Sequence, residues 1–399
     1  MKKTLAAVAV LGAFAGSALA ADVTLYGRVN LGVNYVHTDD GSTTSDSWSL
    51  NSGDATGSRF GLKGVEEISE GLKVGFQLEQ GFNADDGAES ESDKAFRREA
   101  RLYVATDYGT LHMGRFGALD SAAGSLDMVG GMSSMGTGYG DIIGDQGRVF
   151  KTYGRMNNSI AYTSPEFAGM KLSAMVSLGD NNSEFDKVTN TNGKWAVAYD
   201  GEGEATHDVD RYYGLGVTGQ WGALGAGLVV SMLDKGNDTF SQTYTVSADG
   251  AIKEVTATGS DGYNVTAGTN YDFGVAKVFL AGNYYKAGKG FKSTIADIDV
   301  EKPEAKLTKT DIHSWGVSTS VEAPLAAGTF QAAVAYGVKT DDAKAKDQDT
   351  EILNVGAFYK YPLSKRTYVY AGAGYDQEKA DGSDTVKKYE VISGIAHHF

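Results

Sequence analysis

The sequence predicts an all-β fold, a sixteen-strand antiparallel transmembrane β-barrel preceded by a cleaved signal peptide. Three observations carry this. The N-terminus has the layout of an export signal. Polarity alternates with a two-residue period from one end of the chain to the other. No second apolar run is long enough to form a membrane helix. In lipid only helices and closed barrels leave no backbone group unpaired. An exported chain with strand periodicity and no membrane helix therefore reads as a closed barrel.

The export signal comes first. Lys2 and Lys3 give a positive start, residues 5–15 are small and apolar, and Gly16-Ser17-Ala18-Leu19-Ala20 supplies a small-residue cleavage site. The apolar run is shorter than the roughly 20 residues a spanning helix needs. Cleavage is expected after Ala20, leaving 21–399 as one barrel domain. Loss of Lys2 and Lys3 takes the formal charge from −15 to −17. Such an acidic balance argues against nucleic acid, whose phosphates call for excess Lys and Arg. There is no cysteine, which excludes a disulfide-stapled secreted domain. Gly is abundant at 53 residues and Pro rare at 4, as suits many strands whose ladders cannot lose donors.

The strands follow in order. In the first, Val23, Leu25, Val29, Leu31, Val33 and Tyr35 share one face, while Thr24, Arg28, Asn30 and Asn34 share the other. Further on, Trp315, Val317, Thr319 and Val321 oppose Ser314, Gly316, Ser318 and Ser320. Sixteen such segments lie near 22–36, 56–66, 71–82, 96–106, 109–116, 157–164, 169–179, 210–220, 223–233, 260–271, 274–286, 311–322, 327–339, 351–362, 366–376 and 387–399. Most exceed the roughly 9–11 residues a tilted strand needs to cross a bilayer. Glycines on the polar faces fit strands that bend around a wall. Short turns, as at 67–70, 165–168 and 323–326, alternate with long polar loops at 37–55, 83–94, 117–155, 180–208, 234–259, 287–310 and 341–350. Short turns on one rim and long loops on the other are the pattern of outer-membrane barrels. The long loops hold much of the acid, including Asp39, Asp40, Asp85 and Asp86, as solvated charge. None has the spacing of a calcium-binding loop, so no metal or cofactor is expected.

Several strings then become recognisable. They include Val23-Thr24-Leu25-Tyr26-Gly27-Arg28, Gly57-Ser58-Arg59-Phe60-Gly61-Leu62-Lys63-Gly64, Gly75-Phe76-Gln77-Leu78-Glu79-Gln80-Gly81-Phe82, Tyr108-Gly109-Thr110-Leu111-His112-Met113-Gly114-Arg115 and Asn157-Asn158-Ser159-Ile160-Ala161-Tyr162. In order and spacing they resemble the general diffusion porins of Gram-negative bacteria, densely over the first 170 residues and the last 50. The resemblance implies a homotrimer in the outer membrane, in contact with its lipids, including lipopolysaccharide. It implies a third long loop folded into the channel, here 117–155. The loop at 83–94 would reach into a neighbouring subunit. Tyr389, Val391, Ile395 and Phe399 share one face of a last strand that ends in Phe. This is similar to the terminal strand that the barrel-assembly machinery reads, with Phe399 as its signal.

A channel of this kind catalyses nothing. Its chemistry is the potential in a narrow aqueous constriction, set by charged side chains on the walls. Alternation places Arg28, Arg59, Lys63 and Arg155 on lumen faces. Arg28, Arg59, Arg98 and Arg155 also match basic positions of the family's constriction. Parity conflicts for Arg98, which falls with Leu102 and Val104, and for Arg115, which falls with Leu111 and Met113. Both are kept in the basic wall, and Arg101 ranks below Arg98. On the loop, Asp127 matches the family's first acidic position. Gly131 stands where the second is expected. Asp120 and Asp141 are candidates to replace it. One acid facing several arginines tilts the expected channel toward anions. The expected function is passive diffusion of small hydrophilic solutes and ions. Three rivals are a substrate-specific channel for one anion or sugar, a barrel enzyme and a non-conducting adhesin. The six histidines sit in no nucleophile motif, which leaves the enzyme reading without a site.

Overall fold

In the computed structural model, the described residues are 23–399 apart from 91–93, 137, 180–186, 192–193, 199–210, 235–238, 247–250, 259–260, 293–307 and 342–347. The expected signal peptide at 1–20 lies outside them.

Sixteen antiparallel strands form the wall: β1 (Thr24–Asp39), β2 (Arg59–Ser69), β3 (Leu72–Gly81), β4 (Glu99–Thr106), β5 (Gly109–Gly117), β6 (Arg155–Thr163), β7 (Met170–Ser177), β8 (Arg211–Trp221), β9 (Leu224–Asp234), β10 (Gly262–Asp272), β11 (Lys277–Lys292), β12 (Thr308–Leu325), β13 (Gly328–Asp341), β14 (Gln348–Pro362), β15 (Thr367–Ala380) and β16 (Val386–His398). Each pairs with its sequence neighbour, and β16 pairs with β1 from Arg28↔His398 to Asp39↔Lys387. The sheet is therefore closed. At the seam Gly27 and Phe399 exchange backbone hydrogen bonds of 3.1 Å each way. The Phe399 ring lies against Gly27, where a Cβ would meet it at 2.4 Å.

The alternation read from sequence maps onto the two faces. On β1, Leu25 and Val33 are half exposed on the outer face, while Asn30 and Asn34 are buried on the inner one. All sixteen predicted segments correspond to wall strands, with ends shifted by a few residues. One further strand, Thr44–Ser52, lies inside the segment read as the first long loop and pairs antiparallel with the second half of β1, from Leu31↔Ser52 to Asp39↔Thr44. Loops 180–208 and 234–259 also carry short hairpins, at Lys187–Thr191 with Lys194–Ala198 and at Thr239–Val246 with Ala251–Thr258.

The interior is not empty. Residues 118–154, between β5 and β6, fold inward and carry a single 3-10 turn (Gly130–Met132) and a short helix, α1 (Asp145–Val149). The hydrophobic clusters of the molecule lie between this loop and the wall. Leu119, Val129, Ile143 and Val149 of the loop are buried there with Tyr212, Val229 and Phe358 of the wall. Glycines of the inner face make the fit possible. A Cβ at Gly216 would meet Met128 at 2.5 Å, one at Gly268 would meet Met132 at 2.7 Å, and one at Gly356 would meet the Ile143 carbonyl at 2.0 Å. These lumen glycines give the loop room, a role beyond strand bending.

Candidate pore constriction

The loop covers the inner face of β8–β16 and is pinned to it at several points. Asp120 is fully buried. Its carboxylate accepts from Tyr212 at 3.1 Å, Ser231 at 3.0 Å and Asn264 at 2.7 Å, on β8, β9 and β10. Burial pushes its pKa above the usual carboxylate range, against the lowering effect of these donors. Asn270 donates to the Gly131 carbonyl at 3.0 Å. Arg148 forks onto Asp376 at 2.8 and 3.0 Å and also meets Glu378, all on β15. At the far end Glu390 of β16 accepts from the backbone N–H groups of Asp141 and Ile142 at 2.9 Å. Residues 53–58 then close the packing from the β1 side. The Gly140 N–H donates to the Asp54 carbonyl at 2.6 Å.

The opposite wall, β1–β6, carries the charge. Glu79 of β3 is its hub. Its carboxylate accepts from Arg98 at 2.7 Å and from Tyr26 at 3.0 Å, and lies 3.5 Å from Arg59. Arg28 donates to Thr56 at 2.8 Å, and Arg59 reaches the same hydroxyl. Arg155 donates to the Arg98 carbonyl at 2.7 Å. Arg28, Arg98 and Arg155 stand close enough to Arg59 for like charges to repel. Lys63 lies over the Tyr26 ring at 5.2 Å. A second group sits deeper, where Arg101 meets Glu99 at 3.2 Å, His112 at 3.0 Å and Gln77 at 3.0 Å.

The two parity conflicts have physical causes. Arg98 precedes β4 and is outside the alternation, so its parity with Leu102 carries no information. Within β4, Glu99 and Arg101 share the inner face, so Arg101 joins the basic wall beside Arg98 rather than below it. Arg115 sits at a register break between Gly114 and Phe116, where Gly114 has φ +127°. A bulge of this kind re-aims a side chain. Arg115 consequently reaches the Arg97 carbonyl at 2.7 Å and the side chain of Asn157, which shares lumen parity with Arg155.

The loop acids fall in different places. Asp127 is exposed and caps the Gly130–Met132 turn, accepting from the Val129 and Gly130 N–H groups at 3.0 and 2.6 Å. Gly131 is exposed, and a Cβ there would meet nothing within 4 Å. Asp141 is exposed at the Glu390 anchor. Asp120 offers its carboxylate to the wall rather than to water. Its side-chain partners on β8–β10 lie 92 to 144 residues away, which no local pattern shows. Sequence reasoning missed Glu79 and Glu99, although β3 signals the former: Gln77 and Glu79 share one parity against Val74, Phe76 and Leu78.

A closed barrel with an apolar outer band, an inward loop and a charged gap beside it defines an outer-membrane channel. The profile of the Gram-negative porin family matches residues 6–381, and the chain belongs to that family. It is 28% identical to an outer membrane porin protein of Bordetella pertussis over 100% of both chains. Among solved structures, an anion-selective porin from Comamonas acidovorans has the same fold, with a TM-score of 0.60 and 22% identity over 95% of this chain and 100% of that one. OmpT of Vibrio cholerae in its trimer form has a TM-score of 0.56 and 14% identity over 95% and 100% of the two chains. The Bordetella and Comamonas relatives are porins, channels rather than enzymes.

Proposed function

We propose that the chain forms a water-filled channel for passive diffusion of small hydrophilic solutes and ions, with a preference for anions and no catalytic step. The observation that carries this is the charge of the gap. Arg28, Arg59, Lys63, Arg98, Arg101, Arg115 and Arg155 line one wall, against Glu79 and Glu99 on the same wall and exposed Asp127 and Asp141 on the loop. Low-dielectric walls focus this excess onto the aqueous path. The anion-selective relative supports the same sign.

The proposal includes a homotrimer, by analogy with the trimeric relative. It includes export by a signal cleaved after Ala20, lipopolysaccharide contact at the outer rim and insertion by the barrel-assembly machinery through the strand ending at Phe399. Asp120 enters it as a loop anchor rather than a lumen acid. Reversal potentials across a planar bilayer in a potassium chloride gradient test the selectivity. The sign expected is that of chloride permeation. Cation preference overturns the assignment.

A further inference from the structure

Positive charge on the inner face does not stop at β1. It crosses the closing seam below the loop. Phe358 of β14 and Tyr370 of β15 are buried under the loop, with the Tyr139 ring 4.3 Å from that of Phe358. One step nearer the short-turn rim, Lys360 and Tyr368 share their inner-face parity and are only half-buried. His398 of β16 comes next. Its ring lies 6.0 Å from the Tyr368 ring, over which the Lys360 ammonium stands at 5.5 Å. On its other side His398 is paired with Arg28, and Arg28 with Arg59. The two arginines meet at the Thr56 hydroxyl. Lys360, Tyr368, His398, Arg28 and Arg59 thus form one arc running from β14 across the seam to β2. The charges acting on His398 are Arg28, Arg59, Lys360 and, on its own strand, His397; none is an acid. Neither Arg28 nor Lys360 has a carboxylate within 4 Å among the described residues, and Glu79 is already shared by Arg59, Arg98 and Tyr26. Like charges directly opposite across strands are destabilising, and an anion between them offsets that repulsion. Of the arc, only the imidazole has an ordinary pKa that changes its charge between about pH 5 and 8.

We propose that this arc binds a small dianionic oxyanion, of the sulfate or phosphate class, at the short-turn mouth of the channel, and that His398 sets the strength of binding with pH. The site deepens the anion reading above and rests on it. An ion beside the His398 ring sits between the guanidiniums on one side and the ammonium on the other. A dianion gains twice what chloride gains from each of them. Protonation of His398 adds a further charge at the centre of the arc, so binding tightens as pH falls.

The test is block of the chloride current by sulfate, recorded on the whole channel in planar bilayers. Sulfate keeps its charge over this pH range, so only the wall titrates. In wild type the apparent sulfate affinity should rise about threefold from pH 8 to pH 5. That is the effect of one charge about 6 Å from a dianion, halved by salt at about 0.1 M. His398→Gln should remove the rise and hold the pH 8 affinity throughout. Lys360→Gln should lower affinity about threefold at both pH values and keep the rise. Heat-modifiable gel mobility reports folding, and Lys360→Gln, away from the seam, stands alone if His398→Gln fails to close. A rise that survives His398→Gln would move the titrating group to His112 or Asp54 and overturn the site, as would unchanged block in Lys360→Gln. Reversal potentials in potassium chloride at pH 8 separate the two levels. Anion preference there, with block indifferent to both variants, overturns the site alone; cation preference overturns the anion reading and the site with it.

Discussion

Gly131→Glu gives the most direct measure of how the constriction selects. The position is open, its backbone is outside the left-handed region, and its carbonyl stays tied to Asn270. A carboxylate can therefore be added there with little repacking. Gly130 is unsuitable, since a Cβ there would strike the Asp127 carboxylate at 2.1 Å. A unit charge about 7 Å from a permeating ion in water is worth about 0.6 kcal/mol, opposite in sign for anion and cation, so the pair separates by about 1.2 kcal/mol. Screening with a Debye length of about 10 Å at 0.1 M halves this, giving roughly a threefold fall in the anion-to-cation permeability ratio. At 1 M the Debye length is about 3 Å, and the effect should nearly vanish. Bilayer reversal potentials at the two salt levels provide the assay. A shift toward anions, no shift at 0.1 M, or a shift that persists at 1 M would refute a lumen field centred on this loop.

Three further outcomes follow from the same geometry. Glu79→Gln removes the shared partner of Arg59, Arg98 and Tyr26; breaking a buried pair costs about 3–5 kcal/mol, so the thermal midpoint should fall while anion preference rises in bilayer recordings. Asp54 is buried beside Glu390 and Asp141, one of its oxygens lacks a partner, and burial with these negative charges raises its pKa from 3.8 to about 6. The folded chain thus favours the protonated form, so packing of residues 53–58 should be tightest below pH 4 and weaken as pH rises through 6, by up to about 3 kcal/mol. Hydrogen exchange of that segment reads the change, and Asp54→Asn should abolish it. Gly27→Val places a side chain into the Phe399 ring and the Arg59 carbonyl; overpacking of about 1–3 kcal/mol at the closing seam should lower the yield of heat-modifiable barrel on gels.

The wall was legible because lipid on one side and water on the other impose a strict period of two. Leu25 and Asn30 differ in exposure for that reason alone. Thr44–Ser52 escaped because its inward face is Ser45, Ser47, Ser49 and Asn51, a composition that reads as loop although Trp48 and Leu50 alternate with it. For the proposed basic wall, parity assigned Arg28, Arg59 and Arg155, all of which fall within strands, to the inner face. It conflicted for Arg98, which lies outside a strand, and for Arg115, at a bulge. The loop was opaque: Asp120 and Asp127 are both acids in one segment with no period, and only contacts with β8–β10 separate a buried anchor from an exposed turn cap.

On the function proposed above, the loop also explains how an acidic chain can hold a basic constriction. By covering β8–β16, it takes Asp120, Asp145, Asp376 and Glu390 out of the water path, the first two and the last held by neutral donors and Asp376 by Arg148. The surface left open to the channel is β1–β6, where arginine dominates. The described acids of the outer loops, such as Asp40 and Asp86, are exposed outside the wall strands, and charges separated by more than about 8 Å are largely screened at physiological salt. Net charge therefore says little about what crosses. The field in the gap is decided by which wall the loop leaves bare, and that choice is made by glycines at 216, 268 and 356 as much as by any charged residue. A bulky side chain at one of them would displace the loop and alter selectivity without changing a single charge.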